Sequence, residues 1–97
     1  MKSVQNINDL FLLFSHNNLY RQYGLKRIGV FGSMARGEKF NDIDLFIEEE
    51  INFRLVLQLK ELLEKETGMP VDIMQKKYAE PVILHQALKD MKYAAAS

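Results

Sequence analysis

The sequence predicts a layered domain of the α/β or α+β class, in which helices and short strands follow one another along the chain. Three short runs are rich in apolar and β-favouring residues, at Leu25 to Phe31, Ile43 to Ile47 and Val71 to Gln75. The segments around these runs carry apolar residues at helical spacing. The predicted order is helix, strand, short helix, strand, helix, strand, helix, and packed layers are needed to bury their apolar faces.

The elements of the first half have clear boundaries. An N-terminal helix is predicted from four apolar positions at helical spacing: Ile7, Leu10, Phe11 and Phe14. Asn6 or Asn8 is a suitable N-cap, and we expect the helix to extend toward Tyr23 and stop at Gly24. After the first strand, Gly32 breaks the chain direction, and Ser33 to Gly37 has room for one or two helical turns.

The second half predicts two further helices. A long one begins at Ile51 or Asn52 and ends at Gly68 and Pro70. Its core-facing stripe comprises Phe53, Val56, Leu59 and Leu63, widened by Leu55 and Leu62. Pro81 fits the first turn of the last helix. The candidates for its buried side are Val82, Leu84, His85 and Leu88, with His85 read as a packing residue. The tail from Ala94 to Ser97 is expected either to fray or to be a remnant of cloning, and it has no assigned role.

Composition limits the classes of protein that fit. Ninety-seven residues predict one domain spanning 1–97, and its small core favours oligomerisation or a partner protein. Thirteen basic and thirteen acidic residues give zero net charge, which argues against a dedicated nucleic-acid binder. The absence of cysteine excludes disulfides and thiolate catalysis. The apolar run from Leu10 to Phe14 is too short for a signal or membrane segment, so we expect a cytoplasmic protein.

Two aspartates lie two residues apart inside an apolar run. In an extended strand, alternate side chains share one face, so Asp42 and Asp44 point the same way while Ile43 and Leu45 are buried. Two adjacent carboxylates repel unless a cation neutralises them. Magnesium prefers oxygen ligands and keeps positions open for substrate phosphates. The pair therefore predicts a magnesium site, and the alternative is a solvated pair at a strand edge.

A glycine–serine turn precedes this pair. Gly32 lets backbone approach a ligand closely, and the start of the following helix presents free N–H groups. Ser33 adds a hydroxyl, and Arg36 follows one helical turn later, where it could contact a phosphate oxygen. On its own this turn is more often an ordinary turn with a capping serine. Beside two aspartates it predicts a phosphate-binding loop.

A third carboxylate completes the candidate site. Asp72 lies between Val71 and Ile73, an acid alternating with core residues on a short strand. If this strand neighbours the second one in register, Asp72 joins Asp42 and Asp44. It could then ligate a metal and accept the proton of an attacking hydroxyl. The alternative, a strand-end aspartate in solvent, stays open at this point.

Together these residues resemble the minimal nucleotidyltransferase family, a branch of the DNA polymerase beta-like nucleotidyltransferase superfamily. The resemblance runs from Leu25 to about Met91. It rests on four motifs: Gly32-Ser33, Ala35-Arg36-Gly37, Asp42-Ile43-Asp44-Leu45 and Val71-Asp72-Ile73. One departure is Asn41, where the family usually has serine. The resemblance implies an α+β nucleotidyltransferase fold, with a small mixed sheet flanked by helices and the metal ligands on one sheet face.

The resemblance also implies a reaction. In this superfamily two Mg²⁺ ions bind the carboxylates, and a hydroxyl attacks the α-phosphorus of a nucleotide triphosphate such as ATP. The resemblance therefore implies that Gly32 and Ser33 hold the triphosphate, that Asp42 and Asp44 bind metal, and that Asp72 assists the nucleophile. Family members of this size commonly belong to toxin–antitoxin systems, and the resemblance implies an antitoxin that can transfer AMP to a tyrosine of a HEPN-domain toxin.

Two other functions stay open on the sequence. The same fold could neutralise a toxin by binding alone, although retention of all three aspartates favours catalysis. Transfer to a small molecule of the aminoglycoside type is a further alternative, and it is weaker because the chain is short for an acceptor pocket. The acceptor, the preferred base and the oligomeric state do not follow from the sequence.

Overall fold

A four-stranded mixed sheet organises the computed structural model, which describes residues 4–96. The strands are β1 (Arg27–Phe31), β2 (Ile43–Ile47), β3 (Val71–Gln75) and β4 (Lys92–Ala95). Their spatial order is β3-β2-β1-β4, with β2 and β3 parallel and β1 antiparallel to both β2 and β4. The predicted α+β class with a small mixed sheet is confirmed.

In the described part of the chain, five α-helices and one 3₁₀ turn accompany these strands. They are α1 (Ile7–His16), α2 (Leu19–Gln22), α3 (Gly32–Ala35), α4 (Phe53–Thr67), the 3₁₀ turn Lys76–Tyr78 and α5 (Pro81–Asp90). Asn52 caps α4 by accepting a hydrogen bond from the Arg54 N–H, and Gly68 ends it in the left-handed conformation. Within residues 4–96, no helix combines the length and apolar character needed to cross a bilayer.

The two faces of the sheet have different roles. One face is fully buried and carries Ile28, Val30, Ile43, Leu45, Ile47 and Val71. Helices α1, α2 and α4 pack on it through residues such as Phe14, Leu59 and Leu63. Because strand side chains alternate, Asp44 and Asp72 lie on the opposite face. The core therefore fixes the direction of the acidic side chains.

The first predicted helix is in fact two helices. It ends at His16, and Asn18 adopts a left-handed conformation with φ 55° before α2 begins. The Asn17 side chain donates a hydrogen bond to the Leu13 carbonyl, which helps to end α1 there. Adjacent asparagines favour such local hydrogen bonds and tolerate the left-handed region. The break lets α2 turn so that Tyr20 packs on Phe14, with ring centroids 5.5 Å apart.

The C-terminal tail was wrongly expected to fray. Lys92–Ala95 forms an edge strand that pairs with β1, with Tyr93 opposite Gly29. The Arg27 guanidinium lies 3.8 Å from the Tyr93 ring centroid, a cation–π contact. Alanine has low strand propensity, so no local signal marks this strand. The strand forms because its backbone pairs with that of β1. Ser97 lies outside the described residues.

The last helix begins at Pro81 as predicted, but its predicted buried side was wrong. Val82 and Leu88 are 66% and 46% exposed, and His85 is also exposed rather than packed in the core. Leu84 is half-buried, and Ala87 is the buried residue of α5. The reason is that α5 contacts β1 and α3 rather than the main core. Similarly Phe53, predicted for the core stripe of α4, is 67% exposed because it lies in the first turn, beyond the end of that stripe.

A hydrogen-bonded contact joins the last turns of α4 to the start of β3. The Val71 N–H donates to Glu64 Oε2 at 2.9 Å, and Lys60 Nζ donates to the same oxygen at 2.8 Å. The lysine, and next the backbone N–H, lower the pKa of Glu64. A carboxylate with a lowered pKa stabilises the fold above its unfolded-state pKa, and this contribution is lost as pH falls through the folded-state pKa.

We therefore expect Glu64→Gln to lower the free energy of unfolding at about pH 7 and to differ less from the parent at about pH 3. Urea denaturation at both pH values measures this. Glu61→Gln, an exposed change on the same helix, is the matched control. An equal loss at both pH values would show that the carboxylate charge has no part in the contact.

Candidate active site

The centre of the site is Asp44, in the second position of β2. Its side chain is half-buried on the sheet face opposite the main core. The carboxyl lies directly against Gly32, so close that a Cβ on residue 32 would overlap Asp44 Oδ2. Gly32 also has φ 76°, which disfavours any other residue. The glycine of the turn therefore gives the Asp44 carboxyl its place.

The register of the sheet brings Asp72 beside Asp44. The two residues are directly paired across the parallel strands β2 and β3. Neighbouring strands lie about 4.8 Å apart, and paired residues point to the same face. Asp42 comes two residues before Asp44, immediately before β2, and is exposed like Asp72. The convergence of these residues, expected only from sequence, is therefore compatible with the observed topology.

The electrostatics also link the three carboxyls. Burial is the largest cause that raises the pKa of Asp44, and the charges of Asp42 and Asp72 raise it further, while Arg36 lowers it. Each additional negative charge makes ionisation of Asp44 less favourable. The site therefore carries a concentration of negative charge that a cation would stabilise.

The donor chemistry of this group fits Mg²⁺. Three carboxylates supply oxygen ligands only, which is the set that this cation prefers, and exposed Asp42 and Asp72 leave room for water and phosphate. Over residues 4–96, no set of three acidic, histidine or cysteine side chains is gathered tightly enough to count as a complete metal site. Mutual repulsion of uncompensated carboxylates opposes such close approach.

Arg36 lies next to Ser33 but has acidic partners of its own. Its Nη2 donates to Ser33 Oγ at 3.4 Å, its Nε to Glu38 at 3.1 Å and its Nη1 to Asp90 at 2.9 Å. These contacts hold the guanidinium beside the turn, where it was predicted to contact phosphate. Sequence reasoning missed Asp90, because nothing near it in the chain indicates that the end of α5 meets α3.

A cleft of about 290 Å³ opens beside this turn, between α3 and α5. The end of β1 and α3 contribute Phe31, Gly32 and Arg36, and α5 contributes Ile83, Gln86, Ala87 and Asp90. Gly32 thus borders both the cleft and the Asp44 carboxyl. The sequence gave no indication of this cleft, since its second wall depends on the path of α5.

Comparison with known families gives the chain its place. The model of the family described as "Polymerase beta, Nucleotidyltransferase" matches residues 16–93. The chain belongs to this nucleotidyltransferase family. The match spans all three aspartates and the glycine–serine turn, and the resemblance inferred from the motifs is confirmed. The protein is an enzyme of the nucleotidyltransferase class.

Two curated relatives are similar along most of their length. "Putative protein adenylyltransferase MJ1379" of Methanocaldococcus jannaschii is 38% identical over 84 residues, which cover 79% of this chain and 82% of the relative. "Protein adenylyltransferase MntA" of Thermococcus cleftensis is 34% identical over 87 residues, 84% of this chain and 88% of the relative. Both names describe transfer of an adenylyl group to protein.

Solved structures share the fold of this nucleotidyltransferase. A crystal structure of a variant of the toxin–antitoxin MntA–HpeT has a TM-score of 0.71 at 22% identity, covering 97% of this chain and 75% of that one. A toxin–antitoxin crystal structure with AMP-PNP has a TM-score of 0.68 at 23% identity, covering 84% and 71%. At these identities the likeness concerns the fold.

Proposed function

We propose that this nucleotidyltransferase transfers AMP from ATP to a hydroxyl group of a protein toxin and so acts as its antitoxin. The observation that carries the proposal is the direct pairing of Asp44 with Asp72 beside Gly32. The adenylyltransferase names of the relatives support AMP as the transferred group, and the toxin–antitoxin structures support a toxin as the partner. ATP and magnesium are abundant in the cytoplasm, which is where we place the protein.

The binding roles follow from position. Gly32 lets the Asp44 carboxyl lie directly against the turn that would hold the phosphates, and Ser33 offers its hydroxyl. Arg36 supplies positive charge beside Ser33 and can exchange a carboxylate partner for a phosphate oxygen. Two Mg²⁺ ions held by Asp42, Asp44 and Asp72 would neutralise the triphosphate and stabilise the attacking and leaving oxygens.

The reaction places distinct demands on Asp72. A bond forms between the acceptor oxygen and the α-phosphorus, the bond to the β-phosphate oxygen breaks, and pyrophosphate leaves. The acceptor proton must be taken up, and Asp72 is a suitable acceptor because it is exposed on an edge strand that a large partner can approach. Asp44, half-buried and enclosed by Gly32, is better placed as a fixed ligand than as a base.

A HEPN-domain toxin is the partner we propose. The α5 surface exposes Val82 and Leu88, at 66% and 46%. Such apolar exposure close to the active site is typical of a surface that a partner covers. This agrees with a small enzyme that depends on its partner for the acceptor hydroxyl.

Radiolabel transfer tests the proposal. The enzyme is incubated with Mg²⁺, a HEPN-domain toxin encoded beside it and ATP labelled at either the α- or the γ-phosphate. Nucleotidyl transfer predicts label on the toxin from the α-position only. Label from the γ-position would show phosphoryl transfer instead. Toxin neutralisation without label would favour the non-catalytic binding module, and label on an aminoglycoside but not on the toxin would favour the small-molecule enzyme.

A further inference from the structure

We propose that the cleft between α3 and α5 binds the base and ribose of the nucleotide, and that Gln86 is a specificity-determining residue for the base. The inference rests on the proposed function and extends it, since neither the motifs nor the family match identifies a base-binding subsite. It concerns the wall supplied by α5, which lies outside every motif that the sequence revealed.

Position is the first argument. Gly32 borders the cleft on one side and the Asp44 carboxyl on the other. A triphosphate held at Gly32 and Ser33 would lie at the mouth of this cleft, because Gly32 is one of the residues that line it. The cleft is the neighbouring concavity on that side, so the shortest continuous site runs from the Asp44–Asp72 pair, past Gly32, to α5.

Size is the second argument. The cleft measures about 290 Å³, and whole ligands usually occupy pockets of about 300 Å³ or more. A cleft at this lower limit has room for part of a nucleotide, such as the nucleoside with its phosphates outside. Ala87 lines the cleft and is 6% exposed, so a longer side chain at this position would take up part of its volume.

The chemistry of the walls is the third argument. Phe31 and Ile83 offer apolar surface on the β1 side and the α5 side of the cleft, and Ile83 is 51% exposed. Gln86 places an amide at the same wall, with donor and acceptor groups that match the paired donor and acceptor of a base edge. Asp90, held by Arg36 at 2.9 Å, adds a carboxylate that can accept from ribose hydroxyls.

Calorimetry distinguishes binding at the proposed nucleoside cleft from binding at the phosphate site. The two ligands are a non-hydrolysable ATP analogue and inorganic tripolyphosphate, each measured with Mg²⁺. We expect Ala87→Leu to weaken binding of the ATP analogue by about tenfold or more, because the leucine side chain would occupy space that the nucleoside needs. A tenfold change in the dissociation constant corresponds to roughly 1.4 kcal/mol of binding free energy. Tripolyphosphate binding should stay unchanged. Val82→Leu, which enlarges an exposed residue of the same helix outside the cleft, should change neither.

A second variant guards against misfolding of the first. Gln86 is exposed, so Gln86→Leu should leave the fold intact and reduce the preference between ATP and GTP analogues. If Ala87→Leu and Gln86→Leu both bind the analogues as the parent does, the base lies elsewhere while the phosphate site stands. If tripolyphosphate fails to bind the parent enzyme, the proposed function is wrong and the subsite falls with it.

Discussion

Replacing Asp44 by asparagine is expected to abolish most nucleotidyl transfer while stabilising the folded protein. Loss of one carboxylate from the cation site should remove several kcal/mol of transition-state stabilisation, which corresponds to about 10²–10³ in rate. Without a cation, burial and the charges of Asp42 and Asp72 oppose ionisation of Asp44, as its raised pKa shows. A neutral amide of the same shape removes this repulsion, so the melting temperature in magnesium-free buffer should rise.

The two readouts together make this prediction specific. Label transfer from ATP measures the activity, and thermal unfolding with and without Mg²⁺ measures the stability. Glu61→Gln, which removes an exposed carboxylate on α4, should change neither. A variant that loses activity and stability together would indicate that Asp44 has a structural role instead.

Gly32→Ala is expected to damage both the fold and the chemistry. Alanine at φ 76° costs about 1–2 kcal/mol because the left-handed region is strained for residues with a Cβ. In addition, its Cβ would overlap the Asp44 carboxyl, which must then move. Displacement of a catalytic group by about 1 Å can reduce the rate by about 10²-fold.

A matched glycine separates these two effects. Gly37 has nearly the same φ, 73°, and among residues 4–96 nothing lies within 4 Å of a Cβ placed there. Gly37→Ala should therefore lose similar stability in urea denaturation and retain transfer activity. If the two variants lost activity equally, the contact between Gly32 and Asp44 would have no part in catalysis.

Sequence alone predicted the strands that carry the aspartates well and both ends of the chain poorly. β2 and β3 were predicted to the residue, because short apolar runs bounded by glycine, proline and polar residues have strong local signals. The break at Asn18 and the strand Lys92–Ala95 were missed, because each depends on tertiary contacts rather than on local propensity. The predicted buried side of α5 was wrong for the same reason, since α5 packs against β1 and α3 and not against the main core.

The candidate site shows the same division between what local sequence predicts and what depends on tertiary contacts. The aspartates and the turn were selected by residue type and spacing, but their approach depends on β2 and β3 being parallel neighbours in register. The hydrophobic pattern requires both aspartates to point to the same face, but it does not distinguish registers that differ by two residues. The partners of Arg36 and the α5 wall of the cleft could not be predicted from the sequence, because Asp90 is 54 residues from Arg36 in the chain.

The account depends on three carboxylates sharing a cation beside the turn, and paramagnetic Mn²⁺ in place of Mg²⁺ tests this directly. In NMR spectra of the enzyme, low concentrations of Mn²⁺ should broaden the amide signals of Asp42, Asp44, Asp72 and Gly32 first, and Asp44→Asn should suppress this broadening. Broadening that centres instead on the acidic segment 48–50, or that persists in the variant, would contradict a cation site at these aspartates.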